Sequence, residues 1–323
     1  MTGLIFRRLV QLPFIVLAVY TVTFVLAWAL PGEAVLSDEG RQPPAEVLNA
    51  LRSRYHLDDP SRFYVEYLYR ASGLMWLVES AKGSAGSPPA HVFDLGPSFR
   101  YEDWSVNELV SSSLPVSMVL GLTAVALALV VGVGAGVVGA LRPNSLWDVA
   151  TLSVALVGIS LPGFVIGTVL LLIFPVWLGI GSVGSWGRLG DMVLPAVTLS
   201  LPFAAYIARL TRMGMIEVLG ADYIRTARAK GLGPGTVVLK HALKNAFLPV
   251  LSYLGPACAM AMTGSFVVER VFNVPGMGQH FVAAVKNKDL FVIMGITLIY
   301  STMLTLFNLV TDVLYRWVDP RIG

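Results

Sequence analysis

Charged residues are scarce in this sequence. Asp, Glu, Lys and Arg make up 13% of the 323 residues, against about 25% in an ordinary soluble domain. Hydrophobic residues make up 55% of the chain, and its mean hydropathy is +0.71. These values exclude a typical soluble globular protein and predict an all-α polytopic membrane protein. The formal net charge of +3 identifies no class of partner by itself, and no nucleic-acid partner is predicted.

Cysteine is nearly absent as well. The single cysteine, Cys258, lies in an apolar run. One cysteine can form neither an internal disulfide nor a multi-cysteine metal site. We therefore expect Cys258 to be a small core residue.

Motifs for nucleotide binding and catalysis are also missing. The sequence has no GxxxxGK[S/T], HExxH or GxSxG, and its four histidines are scattered along the chain. An intramembrane hydrolase would lack its nucleophile or metal set, and a proton-driven carrier would lack a chain of carboxylates in mid-span. Gly132 and Gly136 lie four apart in an apolar run and predict close helix packing. We expect no catalytic residue, no metal site and no cofactor in this chain.

Long apolar stretches are what the sequence does contain. Six of them cover roughly residues 9–30, 114–141, 149–175, 191–215, 246–268 and 290–315. Each exceeds the length of about 20 residues that a membrane-spanning helix needs. The first is too long for an ordinary signal peptide and is expected to remain uncleaved. Pro162-Gly163 predicts a kink in the third. This pair, and Pro195 and Pro202 in the fourth, are either flex points or static kinks.

The basic residues predict an orientation. With six spans both termini lie on one side, and the positive-inside rule makes that side cytoplasmic. The basic residues that fall on it are Arg7, Arg8, Arg142, Arg209, Arg212, Arg225, Arg228, Lys230, Lys240, Lys244, Arg316 and Arg321. The chain is thus predicted to comprise an N-terminus and first span at 1–31, an extracytoplasmic loop region at 32–113 and a five-helix core at 114–323.

The extracytoplasmic region contains helix-like patterns that are too polar to cross a membrane. Apolar side chains could form a stripe on the bilayer surface, and 83–89 resembles a flexible link. The stripe consists of Tyr64, Tyr67, Leu68, Trp76 and Leu77. This region is either a docking surface for an external partner or a cap packed on the outer ends of the spans.

A short basic segment, DYIRTARAKGLG at 222–233, separates the fourth and fifth spans. Asp222 in a first turn, basic residues after it and a break at Gly231 predict an independent helix of about ten residues. Tyr223, Ala227, Ala229 and Lys230 are expected on one side, with Ile224 and Gly231 beside it. Small residues such as Ala227 and Gly231 let another surface approach. The helix either lies on anionic lipid or inserts into a cytoplasmic protein.

This segment resembles the EAA motif of ATP-binding-cassette importer permeases, in the form found in the dipeptide and oligopeptide B-subunit type. Other stretches resemble that family in matching order, including the N-terminal RRLVQLPFIVLAVYTVTFVLAWALPGEA, FDLGPSFR, FVVERVFNVPGMGQHFVAAVKNKDLFVIMG and the closing LYRWVDPRIG. The Glu-Ala-Ala triplet itself is replaced by Arg225-Thr226-Ala227, and the interval from Gly231 to Pro249 is longer than in the general form.

The resemblance implies a type I importer permease fold with a coupling helix, at about 221–233, that docks in a groove of an ATPase subunit. The residues carried over to ATPase coupling are Asp222, Tyr223, Arg225, Thr226, Ala227, Arg228, Ala229, Lys230, Gly231 and Leu232. The implied partners are a second permease subunit, two ATPase subunits or domains that carry ATP and Mg, an external peptide-binding protein and the lipid of a bacterial cytoplasmic membrane. The same family includes systems for nickel chelates, glutathione and other small solutes.

Residues near the outer end of the fifth span are the candidate gate, because the resemblance implies that substrate enters near this region. They are Glu269, Asn273, Pro275, Gly276 and Gly278, the last four within a predicted turn or re-entrant segment. Glu269 is a possible ion-pair partner of Arg270. In the sixth span, Asn308 and Asp312 lie four apart, and for Asp312 we expect interhelical bonding or an ordinary boundary position.

Overall fold

A computed structural model describes residues 2–31, 45–81, 91–100, 104–263 and 266–318. In these ranges the regular elements are helices, apart from an isolated antiparallel bridge between Pro97 and Ser105. The predicted all-α class is therefore confirmed for the described part of the chain.

The helices are numbered α1 to α15 in chain order. They are α1 Thr2–Ala29, α2 Ala45–Tyr55, α3 Pro60–Ala71, α4 Leu74–Ala81, α5 Val106–Leu141, α6 Leu146–Ser160, α7 Gly163–Leu171, α8 Leu189–Leu219, α9 Asp222–Ala229, α10 Pro234–Thr236, α11 Leu243–Ala246, α12 Leu248–Thr263, α13 Phe266–Phe272, α14 Met277–Lys286 and α15 Leu290–Val318. Two π-helical segments, Leu172–Trp177 and Val237–Ala242, follow α7 and α10.

Several of these helices are long and apolar enough to cross a membrane. Within the described ranges there are four: Phe6–Ala29, Val106–Leu141, Leu189–Leu219 and Leu290–Leu314. Two bent pairs also pass the same test, Leu146–Ser160 with Gly163–Trp177 and Pro234–Ala246 with Leu248–Thr263, which raises the number to at most six. The expected six spans are therefore obtained only if each bent pair forms one span.

The third apolar stretch is broken rather than merely kinked. The chain direction bends by 104° between its two arms, at Leu161 and Pro162. Leu161 has ψ 131° and Pro162 has ψ 139°, so two successive residues leave the helical conformation. A residue that precedes proline is disfavoured in the α region, and proline cannot donate the next helical hydrogen bond. We call α6, α7 and this break the α6–α7 elbow.

The prolines of the fourth stretch behave differently. Pro195 and Pro202 both lie inside α8, which runs without interruption from Leu189 to Leu219. Neighbouring groups in a packed helical environment can compensate for the hydrogen bonds that a proline removes. The structure therefore places Pro195 and Pro202 within a continuous span.

One compact unit consists of Met1–Arg8, Val116–Pro275 and Leu304–Gly323. In it α5 and α8 approach closely, because a Cβ built on Gly132 would lie 2.6 Å from the carbonyl oxygen of Ala204. A Cβ on Gly136 would lie 2.6 Å from the carbonyl oxygen of Ala208. Any larger residue would force the two backbones apart, so the predicted packing role of these glycines is confirmed.

The other compact unit consists of Leu9–Pro115 and Gly276–Met303. Tyr67 of α3 is 2% exposed and stacks on Tyr20 of α1. Phe291 of α15 packs against the Tyr67 ring, and the Tyr20 hydroxyl donates to the carbonyl oxygen of Tyr64 over 2.6 Å. These contacts make α3 a cap on helices of its own unit. Tyr67 is therefore not part of a stripe on the bilayer surface, whereas Leu77 is 56% exposed. The predicted link at 83–89 lies outside the described residues.

A buried carboxylate organises the start of α15 in the same unit. Asp289 is 1% exposed, and its Oδ2 accepts hydrogen bonds from Ser98 Oγ over 2.8 Å and from the Phe99 N–H over 2.9 Å. Burial raises the pKa of Asp289, although these bonds act in the opposite direction. The side chain thus joins the segment around residue 98 to the first turn of α15.

Candidate functional site

The short basic segment forms the independent helix that its sequence predicts. Ala221 has extended dihedrals of −71° and 150°, and α9 then begins at Asp222, whose charge suits the first turn. At the other end Gly231 has φ +76°. The Gly231 N–H donates to Arg228 O over 3.0 Å and the Leu232 N–H to Ala227 O over 3.4 Å, which is the Schellman arrangement. The glycine therefore ends the helix because it can adopt the left-handed conformation.

One face of α9 packs on its own chain. Ile224 is 0% exposed and Ala227 is 8% exposed. They form a cluster, here called the coupling cluster, with Ala140, Met215, Val237, Ala242 and Ala246. Ala227 was expected beside Tyr223 on an approachable side, and that expectation is wrong. Residues three apart lie on the same helix face, so the face that buries Ile224 also buries Ala227.

The opposite face of α9 is open. The predicted coupling residues other than Ala227 are all exposed: Asp222, Tyr223, Arg225, Thr226, Arg228, Ala229, Lys230, Gly231 and Leu232. The Asp222–Arg225 ion pair, at 3.4 Å, is solvated and contributes little to stability. The exposed face is therefore small, mostly polar and basic, with Tyr223 and Leu232 as its large apolar groups.

The segment after α9 lies against it. Asn245 Nδ2 donates to Tyr223 Oη over 2.8 Å. A Cβ built on Gly214 of α8 would lie 2.8 Å from the carbonyl oxygen of Ala246, so α8 and α11 are in close contact. The basic stretch that leads into the fifth span forms α10, a π-helical segment and α11, with Lys240 and Lys244 exposed.

An ion pair between a buried carboxylate of α6 and an arginine of α8 lies near Met215. Arg212 Nη2 donates to Asp148 Oδ2 over 2.7 Å, and Arg212 Nε donates to Asp148 Oδ1. The Asp148 side chain is 2% exposed and that of Arg212 is 21% exposed. Sequence reasoning placed Arg212 among the cytoplasmic basic residues but did not identify Asp148. Ser145 followed by Asp148 is a helix-capping pattern, which gives no information about a partner on α8.

Of the candidate gate residues, Glu269 is the most enclosed. It is 0% exposed, and Ser117 Oγ on α5 donates to its Oε1 over 2.7 Å. Arg270 beside it is exposed, so the two side chains lie in different environments. Sequence reasoning did not identify Ser117, because the two residues are far apart in the chain.

The predicted turn after α13 is present. Asn273 has φ +53°, and the Val274 N–H donates to Glu269 O over 2.8 Å, which ends α13. Asn273 and Pro275 are exposed, whereas Gly276 and Gly278, at the start of α14, are buried. The boundary between the compact units falls after Pro275, so Gly276 and Gly278 belong to the second unit. A gate role for the five residues stays a prediction.

Asp312 has an interhelical partner. Arg8 Nη2 of α1 lies 2.7 Å from Asp312 Oδ2 of α15, and about a third of each side chain is exposed. This contact brings the start of the first long helix beside the end of the last one. In the ranges that the structure describes, no group of three or more His, Cys, Asp or Glu side chains could hold a metal ion.

Comparison with known proteins identifies relatives along the whole chain. A family model described as "binding-protein-dependent transport system inner membrane component" matches residues 114–323. The oligopeptide transport system permease protein OppB of Haemophilus influenzae is 41% identical over 324 residues, covering 100% of this chain and 99% of the relative. The dipeptide transport system permease protein DppB of Bacillus subtilis is 40% identical over 307 residues, covering 95% and 93%.

Solved structures share the fold at lower identity. The inward-facing MetNI methionine ABC transporter matches with TM-scores of 0.53 and 0.51 in two crystal forms, at 18% and 19% identity. Each match covers 65% of this chain and 96% of the other.

Proposed function

The chain belongs to the family of binding-protein-dependent transport system inner membrane components, and on this premise we propose that it is a permease subunit of an ATP-driven importer of dipeptides and oligopeptides. It has the all-α, type I ABC importer permease fold that its sequence resemblance implies. The observation that carries the proposal is the 41% identity to an oligopeptide permease over the full length of both chains.

Within this function, α9 is the coupling helix. An interfacial helix on lipid buries its own apolar face among the headgroups. In α9 that face, formed by Ile224 and Ala227, is already buried in the coupling cluster. The polar face with Arg225, Arg228 and Lys230 is left outward, which supports insertion into an acidic or polar groove of a cytoplasmic protein rather than into the bilayer.

The coupling cluster supports a rigid connection between α9 and the spans. Ile224 packs with Met215 of α8, and the bond between Asn245 and Tyr223 adds a polar connection to α11. A force on the exposed face of α9 is therefore transmitted to α8 and to the segment that enters α12. Closely packed interiors move as bodies because they deform little.

The chain itself carries no step of ATP chemistry in this proposal. The ATPase subunits or domains, two in number, bind ATP and Mg, and an external peptide-binding protein delivers substrate. A second homologous permease supplies the other half of the pathway. The complex lies in a bacterial cytoplasmic membrane with both termini of this chain in the cytoplasm, and the Arg8–Asp312 contact supports the placement of both ends on one side.

Transport then follows from a shift between two states. ATP closes the ATPase dimer, the groove moves α9, and the spans change from inward-facing to outward-facing. A nucleotide can drive this change only by the difference in its affinity for the two states. This chain supplies the connection between the ATPase movement and the pathway.

The test is uptake by the assembled complex. The chain is co-expressed with its cognate permease, ATPase and receptor subunits, and vesicles are assayed with labelled trialanine, glutathione and a nickel chelate. We expect ATP-dependent, vanadate-sensitive accumulation of trialanine. Preferential uptake of glutathione or the nickel chelate would favour those alternatives within the family. Uptake that follows a proton gradient without ATP would contradict the proposal.

A further inference from the structure

The Asp148–Arg212 ion pair connects two parts of the permease that the coupling helix alone does not join. The guanidinium makes two hydrogen bonds to the carboxylate, and Asp148 Oδ2 accepts a third from the Asn144 N–H over 2.8 Å. Paired, two-point bonds between arginine and carboxylate fix direction as well as distance. The pair therefore holds the first turn of α6 in one orientation on α8.

The pair adjoins the coupling cluster. Met215, which packs with Ile224, lies on α8 one turn beyond Arg212. On α5, Ala140 belongs to the cluster, and a Cβ built on the preceding residue, Gly139, would lie 3.0 Å from Asp148 Oδ1. Any displacement of α9 that moves this end of α8 therefore also moves the guanidinium that holds Asp148.

Apolar packing holds the rest of α6. Small residues face α8, and a groove of about 60 Å³ lies between α5, α6 and α8. Among the residues that line it are Ala155 and Gly158 of α6 and Ala204 and Ala208 of α8. The outer side of α6 carries exposed apolar side chains, including Val154 at 68% and Leu156 at 66%. In the described part of the chain, the Asp148–Arg212 pair adds to this packing a polar contact of fixed direction between α6 and α8.

The α6–α7 elbow carries this constraint to α13. Beyond the break at Pro162, a Cβ built on Gly167 of α7 would lie 3.0 Å from the Phe272 ring and 3.2 Å from Val271 Cγ1. Phe272 is on α13, the helix that holds the buried Glu269. One arm of the elbow, α6, therefore carries Asp148, and the other arm, α7, packs against α13. All of these residues lie within one compact unit.

We propose that Asp148 and Arg212 are positioning residues that make the α6–α7 elbow follow the coupling helix, so that ATP-driven movement of α9 reaches α13. This inference rests on the proposed function. Without the pair, the ATPase still closes and hydrolyses ATP, but α6 no longer moves with α8 and α13 does not change state. The predicted defect is lost coupling rather than lost hydrolysis.

The experiment measures trialanine imported per ATP hydrolysed by the complete complex in proteoliposomes. The variants are Asp148→Asn and Arg212→Met. Arg209→Met is the matched control, because Arg209 lies one turn away on α8 and its side chain is exposed. For Asp148→Asn and Arg212→Met we expect the import ratio, the trialanine imported per ATP hydrolysed, to fall at least about fivefold. This is the lower end of typical coupling effects. Hydrolysis should stay within about twofold, and the control should keep the wild-type ratio.

A second readout separates positioning from a purely structural role. Cys258 is the only cysteine of the chain, so Cys258→Ser permits a reporter at Val267 of α13, which is 50% exposed. With Val267→Cys, labelling by a membrane-impermeant maleimide is compared between nucleotide-free and vanadate-trapped complexes. We expect vanadate to change labelling when the ion pair is intact and to have no effect in Asp148→Asn.

Arg212→Met leaves the buried Asp148 carboxylate without its partner and can prevent folding. The double variant Asp148→Asn with Arg212→Met removes both charges, so it accumulates even where the single variants do not. A low import ratio in the double variant supports the inference. If the double variant keeps the wild-type import ratio and the wild-type change in labelling on vanadate trapping, the inference is overturned and the proposed function is left intact. If the unmodified complex shows no ATP-dependent uptake, the proposed function fails and this inference fails with it.

Discussion

Asn245 donates a hydrogen bond to the hydroxyl of Tyr223 over 2.8 Å, and this bond joins the candidate coupling helix to the segment that enters the next span. Both side chains are exposed, so the bond lies at the edge of the coupling cluster rather than inside it. It supplements the apolar contacts of Ile224 and sets the angle at which Tyr223 is presented.

Removal of this bond tests its contribution. Tyr223→Phe and Asn245→Ala should each lower uptake by roughly fivefold at most, because a net hydrogen bond is worth about 1 kcal/mol. The double variant should match either single variant, since both remove the same bond. Vesicle uptake of trialanine measures the effect, and losses that add up in the double variant would show that the bond does not matter.

Gly231 should be the more sensitive of two neighbouring glycines. Gly231→Ala places a side chain at φ +76°, which costs about 1–2 kcal/mol and shifts the end of α9. Gly233→Ala is the matched control, because Gly233 has φ −62° and ψ 148° with open space around it. We expect reduced uptake with hydrolysis retained for the first only. Equal uptake in both variants would argue against a role for the helix end.

Charge reversal on the exposed face should weaken docking without unfolding the permease. Arg228 is exposed in the last turn of α9, so Arg228→Glu changes the surface and not the core. We expect less ATPase subunit to copurify with the permease, and low salt should accentuate the difference. Lys240→Glu, an exposed residue outside α9, is the control. Normal copurification and uptake in Arg228→Glu would count heavily against the coupling role.

Ile224 should contribute most to the attachment of α9. It is 0% exposed, and replacement of a buried isoleucine by alanine costs about 2–5 kcal/mol, whereas valine costs about 0.5–1.5 kcal/mol. Ile224→Ala should therefore make the 222–233 segment sensitive to limited proteolysis, and Ile224→Val should not. Equal protease resistance in the two variants would contradict the packing described for the coupling cluster.

Asp289 gives a pH prediction for the second compact unit. Burial raises its pKa above the ordinary value of 3.8, so the folded state binds the proton more tightly than the unfolded state. The contribution of this proton to folding stability is fully present below pH 3.8 and is lost as the pH rises through the pKa of Asp289 in the folded state. Asp289→Asn removes this dependence.

The corresponding measurement compares thermal unfolding of wild type and Asp289→Asn between pH 7 and pH 4.5. Acidification should stabilise the wild type relative to the variant. A relative stability that moves in the opposite direction would mean that the hydrogen bonds from Ser98 and Phe99 outweigh the effect of burial.

The long apolar stretches were predictable because span length and hydropathy are local properties. The limits of α9 were predictable for a similar reason, since Asp222 and Gly231 specify a start and an end through backbone chemistry. The angle at Pro162 was not, because a proline determines that a helix is interrupted and the surrounding packing determines by how much. The same holds for Pro195 and Pro202, which α8 accommodates without interruption.

By itself the sequence determined the membrane class, the helical content, the family and the position of the basic helix, because composition, periodicity and motif order are all written along the chain. Only the tertiary structure decided that Ala227 faces inward, that Glu269 bonds Ser117 and that Asp148 pairs with Arg212. Each of these depends on which helix lies opposite. Contacts between residues far apart in the chain are selected by the packing of whole helices, which no local pattern encodes.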